Sequence, residues 1–185
     1  MAIQIYILSK LIEGDNYPYQ LKKELSEPVP FDKIGNITES KLYYHFESLT
    51  KQGLIEPTTV IREENRPDKQ YFSITEKGRE ELPNKIYKVF EKATKMSELI
   101  IGLLFIRHVD VEKVIPLIQI KKLALEKKKM QMSEIYKQVK IPANVKNSVQ
   151  LANDYMTEMS QREIEWYDRV ILQLQEDNEM KASFE

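Results

Sequence analysis

The sequence predicts a mostly α-helical protein with one small β-hairpin, arranged as an N-terminal winged helix-turn-helix and a C-terminal three-helix domain. Three observations support this fold class. Residues 38–52 have the spacing of an amphipathic helix, two short strands follow directly, and the pattern after Thr75 is helical throughout. We place the domain boundary after residue 82, which gives domains 1–82 and 83–185.

Two helices are predicted before residue 38. Residues 3–13 carry an apolar band too wide for a surface helix, so this helix should be buried. A second helix begins near Pro18, where the missing N–H of proline costs nothing, and ends before Pro28. Residues 31–37 then form the turn into the next helix, which gives the order of a helix-turn-helix.

The helix over 38–52 and the strands after it are the centre of the prediction. Its apolar face consists of Leu42, Phe46 and Leu49. The helix ends at Gly53, and strands at 54–61 and 70–74 flank a polar turn over 62–69. A helix with one polar face fits the major groove of DNA, so this order indicates a DNA-binding protein.

Three long helices are predicted after the hairpin. Thr75 caps the first, which we expect to continue to residue 107 with Gly102 as a weak point. The caps expected for the other two helices, over 111–140 and 145–176, are Asp110 and Asn144.

Side chains along the last helix form a seam with spacings of mostly three and four residues, as in a coiled coil. The seam consists of Val145, Val149, Ala152, Met156, Met159, Glu163, Trp166, Val170 and Leu174. Two interpretations remain open, because the seam can pack on helices of its own chain or on a second copy. We favour a homodimer whose interface contains Val149, Ala152, Met156, Met159, Val170 and Leu174.

Composition argues against a membrane or secreted protein. The longest apolar run, residues 99–106, is far shorter than the roughly 20 residues that span a bilayer. The N-terminus lacks the features of a signal peptide. Because the chain has no cysteine, disulfides and thiolate metal sites are excluded, and we expect a cytoplasmic location.

Catalysis finds no support in the motifs. The five glycines are scattered, so there is no loop for phosphate or dinucleotide binding. The two histidines, His45 and His108, are isolated from each other and lack metal-ligand spacing to nearby carboxylates. We therefore expect a protein that is not an enzyme, with no catalytic residue, metal or cofactor.

The polar side of the 38–52 helix carries candidate DNA contacts, with an ordinary surface residue as the alternative at each position. Their hydroxyl, imidazole and ammonium groups can bond phosphates or base edges. The candidates are Thr38, Ser40, Lys41, Tyr43, Tyr44, His45 and Ser48, with Lys51 adding positive charge. Residues 1–82 contain 11 Lys and Arg against 14 Asp and Glu, a balance of −3, so local placement must create any positive surface.

Short motifs in the first 80 residues resemble the PadR family of bacterial transcriptional regulators. The matching segments are Tyr17-Pro18-Tyr19-Gln20-Leu21, Leu42-Tyr43 with Phe46 and Leu49, Gln52-Gly53-Leu54-Ile55, Arg66-Pro67 with Tyr71-Phe72, and Ile74-Thr75-Glu76-Lys77-Gly78. Two features differ from the family pattern: Thr50 replaces a common Glu, and Arg66-Pro67-Asp68-Lys69 replaces a Gly-Arg turn. The helical remainder resembles the larger subfamily, in which C-terminal helices mediate dimerisation.

The resemblance implies a homodimer that binds double-stranded DNA at a palindromic operator, usually as a repressor released by a small effector. It implies that Tyr17 and Tyr43 lie near the DNA backbone and that Arg66 and Lys69 form a basic wing. The alternative is a winged-helix module that binds another protein, which the acidic balance of residues 1–82 would permit.

The resemblance also implies an effector class. Similar proteins respond to phenolic acids or flat hydrophobic compounds, which would suit Tyr155, Met159 and Trp166. Met159 and Trp166 also belong to the seam of the last helix, and Tyr155 lies beside it. The alternative is therefore that these side chains pack in the core or in the dimer interface.

Overall fold

The computed structural model describes residues 2–26, 38–61 and 69–182. The chain divides into two compact units, Met1–Asp110 and Val111–Glu185. The boundary expected after residue 82 lies inside a continuous helix of the first unit, Glu76–Lys92. The mostly helical fold with a β-hairpin is confirmed. No helix in these described ranges has the length and apolar character needed to cross a membrane.

Among the described residues, three helices precede the hairpin: α1 (Ala2–Glu13), α2 (Pro18–Ser26) and α3 (Glu39–Lys51). Helix α1 is central to the core of the first unit, because Ile5, Ile7 and Leu8 are fully buried. Helix α2 begins at Pro18, as predicted. The predicted turn over 31–37 lies outside the described residues.

The hairpin consists of β1 (Ile55–Ile61) and β2 (Lys69–Ile74), which pair antiparallel. Ile55 lies opposite Ile74, and the register shifts after Pro57, which cannot donate to the ladder. Asn16 extends the pairing, since its backbone N–H and carbonyl bond the carbonyl and N–H of Phe72 at 3.2 and 2.9 Å. The hairpin is therefore tied to the segment just before α2.

The helix expected to run from Thr75 to residue 107 is instead divided, and that prediction is wrong. Helix α4 (Glu76–Lys92) ends at Ala93, and after a short extended segment α5 (Met96–Leu104) and a 3₁₀ turn (Ile106–His108) follow. The physical reason is packing. The break lets α5 return against α4, so closely that a Cβ on Gly102 would lie 2.8 Å from Phe90 Cζ.

The second unit contains two long helices, α6 (Val111–Gln138) and α7 (Lys146–Ala182). The two helices lie antiparallel. Side-chain hydrogen bonds show this orientation, since they join Glu112 to Asn178, Lys122 to Asp168 and Lys129 to Gln161. The buried apolar side chains of this unit are Val114, Ile118, Ile164, Tyr167 and Leu174. Packing is therefore concentrated at the start of α6 and the end of α7.

Candidate nucleic-acid interface

Helix α3 presents one polar face to solvent. Its opposite face is fixed in the core by Leu42, Phe46 and Leu49, each at most 2 % exposed. The helix begins at Thr38, whose side chain accepts a hydrogen bond from the N–H of Lys41 at 3.3 Å. It is followed by Gly53 at φ +69°, a left-handed conformation that favours glycine. The exposed side chains are Glu39, Ser40, Lys41, Tyr43, Tyr44, Glu47 and Lys51.

Two predicted contact residues lie at the edge of this face. Ser48 is half-buried, and its Oγ accepts hydrogen bonds from the side-chain amides of Gln4 at 3.5 Å and Gln52 at 3.0 Å. His45 is also half-buried, and burial lowers the pKa of its imidazole. Its Nδ1 is buried and has no hydrogen-bond partner among the described residues. Sequence spacing alone does not show that Ser48 contacts Gln4 of α1.

The hairpin and the segment just before α2 contribute a second group of predicted residues. Tyr17 and Tyr71 have ring centroids 5.0 Å apart, and Lys69 Nζ lies 5.9 Å from the centroid of Tyr17. Phe72 packs on Phe46 of α3 with centroids 5.0 Å apart. These contacts hold Tyr17 and Lys69 beside α3. Arg66, the other predicted wing residue, lies outside the described residues.

A groove of about 1030 Å³ lies between α3, the start of α2 and the hairpin. Its walls include the predicted residues Tyr17, Tyr43 and Lys69. Sequence reasoning missed Tyr19, Pro57 and Phe72 as parts of this surface, although Tyr19 and Phe72 belong to the family-like motifs. Side chains of α3 and the hairpin therefore line one continuous surface.

The negative charges of this surface are not equivalent. Glu39 Oε2 lies 3.0 Å from Lys22 Nζ, so an ammonium group of α2 offsets its charge. Burial and the nearby Glu39 raise the pKa of the Tyr43 phenol, which keeps Tyr43 in its neutral, hydrogen-bond-donating form. Glu47 has no ion pair with any cation in the part of the chain that the structure describes. The two carboxylates of α3 therefore differ in their surroundings, which a net count of charge cannot show.

Comparison with family models finds a match in the first unit. The model of the transcriptional regulator PadR-like family matches residues 7–84. The match runs from the middle of α1 through α2, α3 and the hairpin to the middle of α4. The PadR resemblance predicted from short motifs is confirmed for this part of the chain.

Several solved structures are similar to this PadR-like chain. Bacillus subtilis PadR in complex with operator DNA has 16% identity and a TM-score of 0.40, covering 94% of this chain and 99% of that one. A Streptococcus mutans protein has 19% identity and a TM-score of 0.41, covering 94% and 96%. A Clostridium difficile PadR family regulator has 24% identity and a TM-score of 0.39, covering 48% and 86%. Comparison with curated proteins gives no match.

The predicted effector residues of the PadR-like protein lie on one stripe of α7. Tyr155 and Met159 are exposed, and Trp166 is half-buried with its ring 5.6 Å from that of Tyr167. They do not line the cavity of about 440 Å³ that opens between α6 and α7 near their connection. Its lining from α7 includes three residues predicted for the dimer interface: Val149, Ala152 and Met156.

The remaining predicted interface residues differ in burial. Leu174 is buried within its own unit, Val170 is half-buried, and Met159 is exposed. In the part of the chain that the structure describes, no three His, Asp or Glu side chains are grouped in a way that could hold a metal ion.

Proposed function

We propose that this PadR-like protein is a homodimeric repressor that binds a palindromic DNA operator and is released by a small aromatic effector. The observation that carries the proposal is the exposed polar face of α3 beside the hairpin, within the region that matches the family. A helix presented in this way enters the major groove, and two copies related by a twofold axis contact half-sites about 34 Å apart.

The proposed contacts divide into two groups. Ser40 and Tyr44 lie on the outward face of α3 and would reach base edges. Contacts to phosphate would come from Tyr17, Tyr43 and Lys69 in the groove and from Lys41 on α3. Arg66, which lies outside the described residues, is proposed as a further phosphate contact from its sequence position alone. Thr38, His45 and Ser48 would act at the margin, because Thr38 and Ser48 also hydrogen-bond within the chain and His45 is half-buried.

The second unit supports the homodimer. Many large apolar side chains of α6, α7 and the segment that connects them are exposed, which is unusual for a surface that meets only water. They are Ile120, Leu123, Met130, Met132, Ile135, Val139, Val145, Leu151, Tyr155, Met156, Met159 and Leu172. A second copy would bury this surface, and an effector bound against Tyr155, Met159 and Trp166 would then change the spacing of the two α3 helices.

The DNA-binding part of the proposal is tested by fluorescence anisotropy. Purified protein is titrated against the DNA upstream of its own gene and against a scrambled duplex at several salt concentrations. We expect tighter binding to the native fragment, with affinity that falls as salt rises. Lys41→Ala should weaken binding and reduce the salt slope by about 1, whereas Lys127→Ala, an exposed position on α6, should not. No binding at low salt would refute DNA binding and favour a protein-binding module.

Dimerisation is tested by light scattering coupled to size-exclusion chromatography. Leu151→Asp combined with Met159→Asp should convert the dimer to a monomer, because both side chains are exposed in the single chain. Gln150→Asp, at an exposed polar position of the same helix, is the control. A wild-type monomer at micromolar concentration would contradict the proposal.

Effector release is tested with phenolic acids. Saturating ligand should change Trp166 fluorescence and lower operator affinity, and Tyr155→Ala should reduce both effects. If fluorescence and affinity stay unchanged across the aromatic compounds tried, this part of the proposal fails.

A further inference from the structure

Helix α3 carries two glutamates whose surroundings differ. Glu39 is paired with Lys22 at 3.0 Å and lies in the first turn, where a negative charge also stabilises the helix. Glu47 is exposed, and its carboxylate forms no ion pair or hydrogen bond with any residue in the described ranges. Glu39 thus has a structural role within the chain, whereas the described residues give Glu47 no such role.

Glu47 occupies the outward face of the helix. It lies one turn after Tyr43 and Tyr44 and one turn before Lys51, away from the buried face. It also lines the groove between α3 and the hairpin. When α3 enters a major groove, this carboxylate is therefore carried into the interface with the side chains that meet the DNA.

A carboxylate in that position needs a hydrogen-bond donor. It accepts hydrogen bonds and donates none, and losing water without gaining a donor is costly. In the major groove only the N4 amino group of cytosine and the N6 amino group of adenine are donors. Adenine places its N7 acceptor beside the amino group, where it repels a carboxylate, whereas guanine and thymine offer acceptors alone.

We propose that Glu47 is a specificity-determining residue that selects cytosine in each operator half-site by accepting a hydrogen bond from its N4 amino group. The inference rests on the proposed DNA-binding function and adds a base preference to it. Glu47 raises specificity at the expense of affinity, because the carboxylate repels phosphates on any sequence that lacks the donor.

The test is in vitro selection from a random duplex library with the full-length protein. Wild type, Glu47→Gln and the control Glu39→Gln are compared, and circular dichroism confirms that each is folded. We expect wild type to enrich a fixed cytosine that Glu47→Gln no longer enriches. Because a glutamine amide pairs with the N6 and N7 of adenine, Glu47→Gln should prefer adenine there by about tenfold. Glu39→Gln should keep the wild-type motif.

Three outcomes decide between the possibilities. A cytosine exchanged for adenine in Glu47→Gln supports the inference. An unchanged motif overturns it, and tighter binding of Glu47→Gln to every duplex would show that Glu47 acts only by repelling phosphate. If the wild-type protein enriches no motif, the proposed function itself fails, and the inference fails with it.

Discussion

Gly78, in the first turn of α4, allows a close backbone approach between this helix and the start of the hairpin. A Cβ at this position would lie 2.1 Å from the backbone oxygen of Leu54 and 2.7 Å from Ile74 Cγ1. The same Leu54 carbonyl accepts a hydrogen bond from the N–H of Thr75 at 3.1 Å. We therefore expect Gly78→Ala to force the start of α4 away from the strand that leads into the wing.

The magnitude follows from two opposing effects. Alanine favours the helical conformation over glycine by about 1 kcal/mol. Overpacking in a closely packed core costs typically about 1–3 kcal/mol, and more where the obstacle is backbone that cannot rotate away. The overlap with the Leu54 carbonyl is of this second kind, so we take a cost of about 3 kcal/mol, at the upper end of the range. After the helical gain of about 1 kcal/mol is subtracted, we expect Gly78→Ala to lower the free energy of unfolding by about 2 kcal/mol.

Urea unfolding followed by far-ultraviolet circular dichroism measures this change, because Gly78 lies in the first unit, which is largely helical, whereas the single tryptophan, Trp166, belongs to the second unit. The matched control is Glu80→Ala, an exposed position of the same helix that should change stability by no more than about 0.5 kcal/mol. If Gly78→Ala is as stable as wild type or more stable, the close approach does not constrain this position and the reasoning is refuted.

Three further predictions use contacts of the first unit. Thr75→Ala should lower the free energy of unfolding by about 1 kcal/mol, because Thr75 Oγ1 caps Gly78 N–H and bonds the Gly53 carbonyl, whereas Thr75→Ser should retain most stability in the same urea assay. Burial, together with the charge of Arg107, lowers the pKa of His108, so the unfolded state binds more protons than the folded state. The free energy of unfolding should therefore decrease as the pH falls below about 6.5. In His108→Gln this decrease should be less steep. The same pH dependence of stability in wild type and His108→Gln would contradict this account. Some pH dependence should remain in the variant, because the pKa of His45 is also lowered. Gly102→Leu should destabilise more than Ser97→Leu at an exposed position of α5, because only Gly102 faces the Phe90 ring; equal thermal midpoints would contradict this.

Much of the N-terminal fold follows from short-range rules. Pro18 begins α2, Thr38 and Thr75 cap their helices, and a left-handed Gly53 follows α3. These signals are visible in the sequence because each concerns a residue and its neighbours within one turn. The exposed face of α3 was also predictable, because its apolar and polar residues alternate with the helical period.

The placement of individual site residues was harder to predict from the sequence. Ser40 and Tyr44 are exposed as their spacing predicts, but Ser48 bonds Gln4 of α1. That contact joins residues 44 positions apart, which no helical pattern reveals. The same holds for Glu39, whose cation comes from α2. Only the folded chain shows that Glu47, unlike Glu39, forms no ion pair within the described residues.

The sequence by itself determined the order of elements up to the hairpin, the caps at Thr38 and Thr75 and the PadR-like character of the first 80 residues, because these depend on local conformation and on short motifs. Tertiary structure alone decided where the long helix predicted after Thr75 breaks. A continuous helix satisfies every local preference there, but the break lets Gly102 meet Phe90 and closes the core of the first unit. Burial of apolar surface between distant residues outweighs a few lost helical hydrogen bonds, and that balance cannot be evaluated one turn at a time.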